Sequence, residues 1–277
     1  MKAKKIKQYT GSVLVYCALG IALFVALFPI AWTVSTSFKT IAEYYTYPPV
    51  WIPHMPTLEN YKYIIYTAGL GYLKNSLIIS FINTILVLGV SIPAAYGIAR
   101  FKIGRGNLSF WILSQRMFPP IAVIIPLFLL LKKFGLIDTY AGLVIVYCTF
   151  NIAFSVWLLT GFFEEFPRDI EEAAMVDGCS RNTALVRIVI PLVAPGIVVT
   201  GIFCFIFAWN EFMFALILTR EAAKTVTVQL SSFQAPTSIM WGKMSALIII
   251  AIVPILIMTM AVQKYLVRGL TLGAVKG

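Results

Sequence analysis

The chain has 277 residues, of which 60% are hydrophobic and 12% charged. Soluble domains carry about 25% charged residues, so this composition excludes a surface wetted all round and makes lipid the main solvent. The 22 basic and 11 acidic residues leave a net charge of +11, which reads as membrane topology and not as the basic face of a nucleic-acid-binding domain.

A hydrocarbon core takes about 20 apolar residues per helix. Runs of that length lie near 12–34, 73–99, 108–131, 141–160, 189–219 and 244–265. The fold class is therefore all-α integral membrane, one domain of about six spans. Lys2, Lys4, Lys5 and Lys7 precede the first run. That run is too long for a signal peptide and no A-x-A-like cleavage site follows, so it reads as a retained helix.

The loop between the first two spans carries Pro48, Pro49, Pro53 and Pro56, which prevent long helices. Its Tyr44, Tyr45, Tyr47 and Trp51 suit an interfacial belt or an external contact surface. His54 is the only histidine and has no acidic or Cys neighbours at ligand spacing, so no metal site is expected. Cys17, Cys148 and Cys204 lie in apolar runs and Cys179 in a polar loop. No disulfide framework is expected from them.

With the N-terminus inside, Arg100, Lys102, Arg105, Arg168, Arg181, Arg187, Lys264, Arg268 and Lys276 join the N-terminal lysines on inner segments, against Lys39, Lys62, Lys74, Lys132, Lys133, Arg220, Lys224 and Lys243 on outer ones, a moderate bias. This orientation puts both termini, the segment 167–188 and the tail 266–277 in the cytoplasm.

Polar residues inside apolar spans are costly and mark functional candidates. They are Asn83, then Gln115 and Arg116, then Asn151 and Ser155, then Asn210 and Glu211 beside Trp209. Asn151 and Ser155, four apart, share a helix face. Pro119 and Pro120 cannot donate to the carbonyls of Gln115 and Arg116, so the third span should kink there. Irregular backbone at that depth is tolerated only against protein or a water-filled cavity, which suggests a pathway lining. In straight helices Arg116 and Glu211 differ in depth by ~10 Å or more, which leaves a direct ion pair open. Interhelical hydrogen bonding that only stabilises the bundle is the other reading of each of these residues.

The segment 167–188 is a polar bracket. Pro167 opens a helix whose first turn is acidic (Asp169, Glu171, Glu172), as suits the positive end of the helix dipole. Ala173 and Ala174 favour helix and have little bulk, so a partner surface could approach closely. Gly178 suits the left-handed residue that ends a helix. A second helical stretch from Arg181 leads to Ile190-Pro191.

Glu172-Ala173-Ala174, two residues, Asp177-Gly178 and then Ile190-Pro191 resemble the "EAA" signature of ABC-importer permeases. The resemblance continues through Met117-Phe118-Pro119, Trp209-Asn210-Glu211-Phe212 and 269–277, and is closest in kind to the carbohydrate, maltose-type subfamily. Cys179 stands where a small Ala is common, and Ile190-Pro191 replaces Leu-Pro. The resemblance implies the type I ABC importer permease fold. It also implies a second permease subunit forming a heterodimer, an ATPase dimer, an external solute-binding protein and a carbohydrate or polyol cargo. It makes the bracket a coupling helix. Glu172 would meet a basic residue of the ATPase, Asp177 would brace the turn, Gly178 would set its angle, and Arg181 would belong to the same contact. The tail 269–277 would reach the seam between the ATPases. Trp209 would stack on a sugar ring or serve only in packing, and Arg116 leaves room for an anionic cargo.

No Gly-x-x-x-x-Gly-Lys-Ser/Thr run occurs, so ATP and Mg²⁺ are expected on separate subunits and no cofactor on this chain. The chain offers no metal cluster, nucleophile elbow or paired intramembrane carboxylates for an enzyme. An ion-gradient-driven secondary transporter would suit a broken helix, but Glu211 is the one obvious embedded carboxylate and no inverted repeat is apparent.

Overall fold

The computed structural model describes residues 2–67, 69–235 and 238–271. The chain divides into two compact units, one formed by 1–70 with 230–252 and the other by 71–229 with 253–277. The elements in order are α1 (Lys2–Ser37), α2 (Ile41–Tyr44), α3 (Glu59–Tyr66), α4 (Gly69–Phe101), α5 (Leu108–Ser114), α6 (Pro120–Lys133), α7 (Tyr140–Glu165), α8 (Arg168–Val176), α9 (Arg181–Ala184), α10 (Ile190–Trp209), α11 (Met213–Leu218), α12 (Val226–Ser232), β1 (Gln234–Ala235), β2 (Ser238–Ile239) and α13 (Trp241–Thr271). Among the described residues, five helices are long and apolar enough to cross a membrane, and six if a bent pair, α5 with α6, counts as one span.

In the first unit the end of α1 is tied to the proline-rich loop. Ser35 Oγ donates to the Trp51 carbonyl (2.5 Å). Lys39 is buried with its Nζ 3.9 Å over the Trp32 ring. Asn60 Nδ2 on α3 donates to the carbonyls of Ser37 (2.9 Å) and Lys39 (3.0 Å). The antiparallel pair β1–β2, in register Gln234↔Ile239, is held by Tyr45, whose hydroxyl donates to the Ile239 carbonyl (2.7 Å). The loop thus contains two short helices, in keeping with prolines that prevent long ones, together with tertiary hydrogen bonds.

In the second unit α4, α7 and α10 form the centre. One apolar cluster joins Ile79, Ile124, Leu143, Tyr147 and Phe214, and another joins Tyr96, Leu159, Phe163, Val189 and Val193. A Cβ on Gly196 would lie 2.4 Å from the Phe162 ring, so glycine is what allows α10 to approach α7 this closely.

Several expected boundaries are corrected. The fourth span does not stop at Thr160; α7 runs to Glu165. The fifth run is not continuous to 219, because α10 ends at Trp209 and α11 starts at Met213. Glu211 causes the restart: its carboxylate accepts from the N–H groups of Phe214 (2.9 Å) and Ala215 (3.0 Å), which have no intrahelical acceptor at a helix start. The last helix continues to Thr271. Residues 272–277 of the expected tail lie outside the described residues.

The α6–α7 connection has its own clamp. Asp138, at φ 58°, accepts from the backbone N–H groups of Arg220, Glu221, Ala222 and Ala223 at 2.9–3.2 Å. Burial pushes its carboxyl up, but the four donors outweigh burial and hold it below the ordinary carboxylate value. A lowered folded-state value means the clamp is at full strength above the unfolded value, about 3.9, and weakens as pH falls through the folded one. Asp138→Ala should cost about 1–3 kcal/mol, read as a lower thermal unfolding midpoint in detergent. The deficit against wild type should narrow on acidification.

Candidate functional site

The polar bracket forms as its residues dictate. Pro167 precedes α8, and Asp169 and Glu171 sit in its first turn. The helix closes with paired bonds, Cys179 N to Ala174 O (3.0 Å) and Gly178 N to Met175 O (3.1 Å). That is a Schellman termination with the glycine in the left-handed position, at φ +90°. Ser180 Oγ then caps α9 by accepting from Thr183 N (3.3 Å). From Leu185 to Val189 the helix widens into a π-turn. Pro191 explains it: it has no N–H for the Arg187 carbonyl, and Ile190 N reaches back to Leu185 O instead.

The bracket is bolted to the end of α4. Arg100 Nε lies 2.7 Å from Glu171 Oε2, with both side chains 4% exposed. The Tyr96 hydroxyl donates to the other Glu171 oxygen. Arg100 also donates to the Phe166 carbonyl (3.3 Å), and Arg168 donates to the Ala99 carbonyl (3.2 Å). Arg181 sits 4.9 Å over the Phe101 ring. Among the described residues Arg100–Glu171 is the one ion pair.

This geometry sorts the expected coupling residues. Glu172, Ala173, Asp177, Gly178 and Arg181 are exposed, and Val176 beside them is 87% exposed. Ala174 is corrected: it is buried against its own chain, because successive helical residues turn by about 100° and the face holding Glu171 is turned inward. Sequence reasoning missed Glu171, Arg100 and Tyr96. The spacing of Tyr96 and Arg100, four apart on one helix face, was the available signal.

The second candidate region surrounds the broken span. The α5 axis continues as a 3₁₀ turn over Gln115–Met117, and α6 leaves at 87° to it. Phe118 and Pro119 are extended, so the expected kink is a full break. Beside it lies a cavity of about 580 Å³ lined by Gln115, Arg116, Thr149, Phe150, Glu211 and Phe214 among others. Phe150 and Phe214 stack with centroids 6.1 Å apart and planes at 11°. Arg116 sits 4.0 Å over Phe207 and 5.1 Å over Phe154. Arg116 and Glu211 share this cavity without forming an ion pair.

The other pathway candidates lie elsewhere. Asn83, Asn151 and Ser155 are fully buried and do not line the cavity. Asn151 Nδ2 donates to Asn83 Oδ1 (2.7 Å) and to the Cys204 carbonyl (3.1 Å). Asn83 Nδ2 donates to the Val144 carbonyl (3.3 Å). These amides therefore tie α4, α7 and α10 together, the bundle-stabilising reading. Trp209 is buried and stacked on Phe205 at 5.7 Å, which leaves its ring no free face for that region. Asn210 is exposed, with Nδ2 bonded to Ile206 O (3.0 Å). Among the described residues no group of His, Cys, Asp and Glu could hold a metal ion.

Residues 87–272 fit the family described as "Binding-protein-dependent transport system inner membrane component". The chain belongs to this family. The permease is 36% identical to the sulfoquinovosyl glycerol transport system permease protein of Agrobacterium fabrum, over 97% of this chain and 95% of that one. It is 38% identical to the trehalose/maltose transport system permease protein of Thermococcus litoralis, over 91% and 92%. Among solved structures it is similar to a bacterial ABC transporter involved in the import of the acidic polysaccharide alginate. That match has a TM-score of 0.75 at 26% identity, over 92% of this chain and 95% of that one. The fold is thus that of a type I ABC importer permease, all-α with six transmembrane helices, α5 and α6 making one broken span. The chain is an inner-membrane transport subunit and not an enzyme.

Proposed function

We propose that the permease imports a sugar, oligosaccharide or polyol, and that the exposed face of 172–178 is the coupling surface. ATP and Mg²⁺ act on a separate ATPase dimer docked on that face. A distinct second permease completes a heterodimer, and an external solute-binding protein delivers cargo. Both termini face the cytoplasm, the whole chain serves as one transmembrane domain in lipid, and the tail 266–277 extends toward the ATPases.

One observation carries this reading: Glu172, Ala173, Val176, Asp177 and Gly178 form an exposed surface on a bracket whose other face is ion-paired to α4. A surface that is free outward and fixed inward can pass force from a docked motor to a membrane helix. The glycoside cargoes named for the two relatives support the cargo class.

The test is reconstitution of the permease with its companion subunits in proteoliposomes. ATP hydrolysis should rise when loaded binding protein is added, and uptake should require ATP. Uptake driven by an ion gradient with ATP absent would establish the secondary-transporter reading instead.

A further inference from the structure

Arg116 stands out by what it lacks. A guanidinium presents five N–H donors in a rigid fork. Among the described residues none of Arg116's donors meets an acceptor within hydrogen-bonding distance, and no carboxylate lies within 4.0 Å. Its contacts are the ring faces of Phe207 and Phe154. These two rings, set at 86° to each other, hold the guanidinium in place while accepting no hydrogen bond from its N–H groups.

Arg116 is half-buried, and its charge lines the cavity with no carboxylate paired to it. The one acidic residue lining the cavity is committed. Both oxygens of Glu211 are taken by the N–H groups of Phe214 and Ala215, where the start of α11 offsets its charge. The cavity therefore offers a fixed, unneutralised cation. It also offers the stacked Phe150–Phe214 platform and the amide of Gln115 at its rim. At about 580 Å³ it lies within the range of small-molecule sites.

We propose that this cavity binds the acidic group of a sugar cargo, the guanidinium edge of Arg116 forking onto a carboxylate, sulfonate or phosphate while the carbon skeleton packs on Phe150 and Phe214. The chemistry follows from shape: two parallel N–H···O bonds match a planar or tetrahedral oxyanion, and low local dielectric strengthens them. A neutral sugar would leave the charge unmet. This deepens the importer reading and rests on it.

The test uses the complete importer with its binding protein in proteoliposomes. Uptake is measured for glucose and trehalose against their uronate, 6-sulfonate and 6-phosphate counterparts. The acidic member of at least one pair should be taken up about tenfold or more faster. The Arg116→Gln variant should lower that acidic-to-neutral ratio about tenfold, and Arg116→Lys should restore part of it. A ratio is independent of how much variant protein folds. The ratio should persist in phosphatidylcholine vesicles, which remove anionic headgroups as a rival source of the oxyanion; its disappearance there overturns the proposal. ATP-driven uptake of neutral sugars alone, or a ratio unchanged in Arg116→Gln, also overturns it while leaving the importer intact. Absence of ATP-driven uptake of any sugar removes both.

Discussion

Glu171→Ala is expected to abolish the stimulation of ATP hydrolysis by loaded binding protein. The side chain is 4% exposed and pairs with Arg100 at 2.7 Å, with Tyr96 on its second oxygen. Removing one member of a buried pair costs about 3–5 kcal/mol, because the other charge is left unpaired. Here that cost falls on the joint between α8 and α4. A bracket released from α4 can still dock on a motor, but its motion no longer reaches the helix. Arg100→Ala should behave the same way. Replacing both residues by methionine removes the stranded charge, and buried pairs exchanged for apolar groups are often near neutral in stability. That double variant should recover the thermal midpoint, and recovered stimulation would show that holding α8 on α4 is what the pair does. Wild-type stimulation in the Glu171→Ala protein would refute the joint outright. The measurements are the unfolding midpoint of the solubilised complex and stimulated hydrolysis in proteoliposomes.

The ends of the bracket were legible in the sequence and its inner face was not. Pro167 and Gly178 each act through local backbone chemistry, which sequence carries directly. Glu171 and Glu172 are adjacent, of one residue type, and about 100° apart on the helix. Which of them turns inward depends on where Arg100 ends α4, a tertiary fact. The same holds in the membrane. The polar residues were found by their cost in lipid. That cost does not say whether an amide meets another helix, as Asn83 meets Asn151, or faces a cavity, as Gln115 does. Pro119 and Pro120 located the break in the third span, whereas its 87° angle comes from the extended backbone at Phe118 and Pro119. The halt after Trp209 had a signal in Asn210-Glu211, a polar pair in an apolar run. It was read as pathway, although Glu211 also serves as the acceptor that starts α11.

Gly178→Val should abolish stimulated hydrolysis while leaving membrane insertion unchanged. A Cβ at this position would meet no atom of the chain within 4 Å, so crowding within the subunit is not the cause. The backbone is: at φ +90° a β-branched residue is strongly disfavoured, and a left-handed L-residue already costs roughly 1–2 kcal/mol. The chain would relieve that cost by opening the Schellman bonds from Cys179 and Gly178, which swings α9 relative to α8. The bundle itself, held by α4, α7 and α10, should keep its unfolding free energy within about 1–2 kcal/mol of wild type. Asparagine tolerates the left-handed region several-fold better than most residues, so Gly178→Asn should retain part of the stimulation that valine loses. Valine and asparagine failing alike would assign the glycine to close contact with the docked motor and not to the angle of the turn. Uptake persisting in the valine variant would mean that force does not pass through this bracket at all.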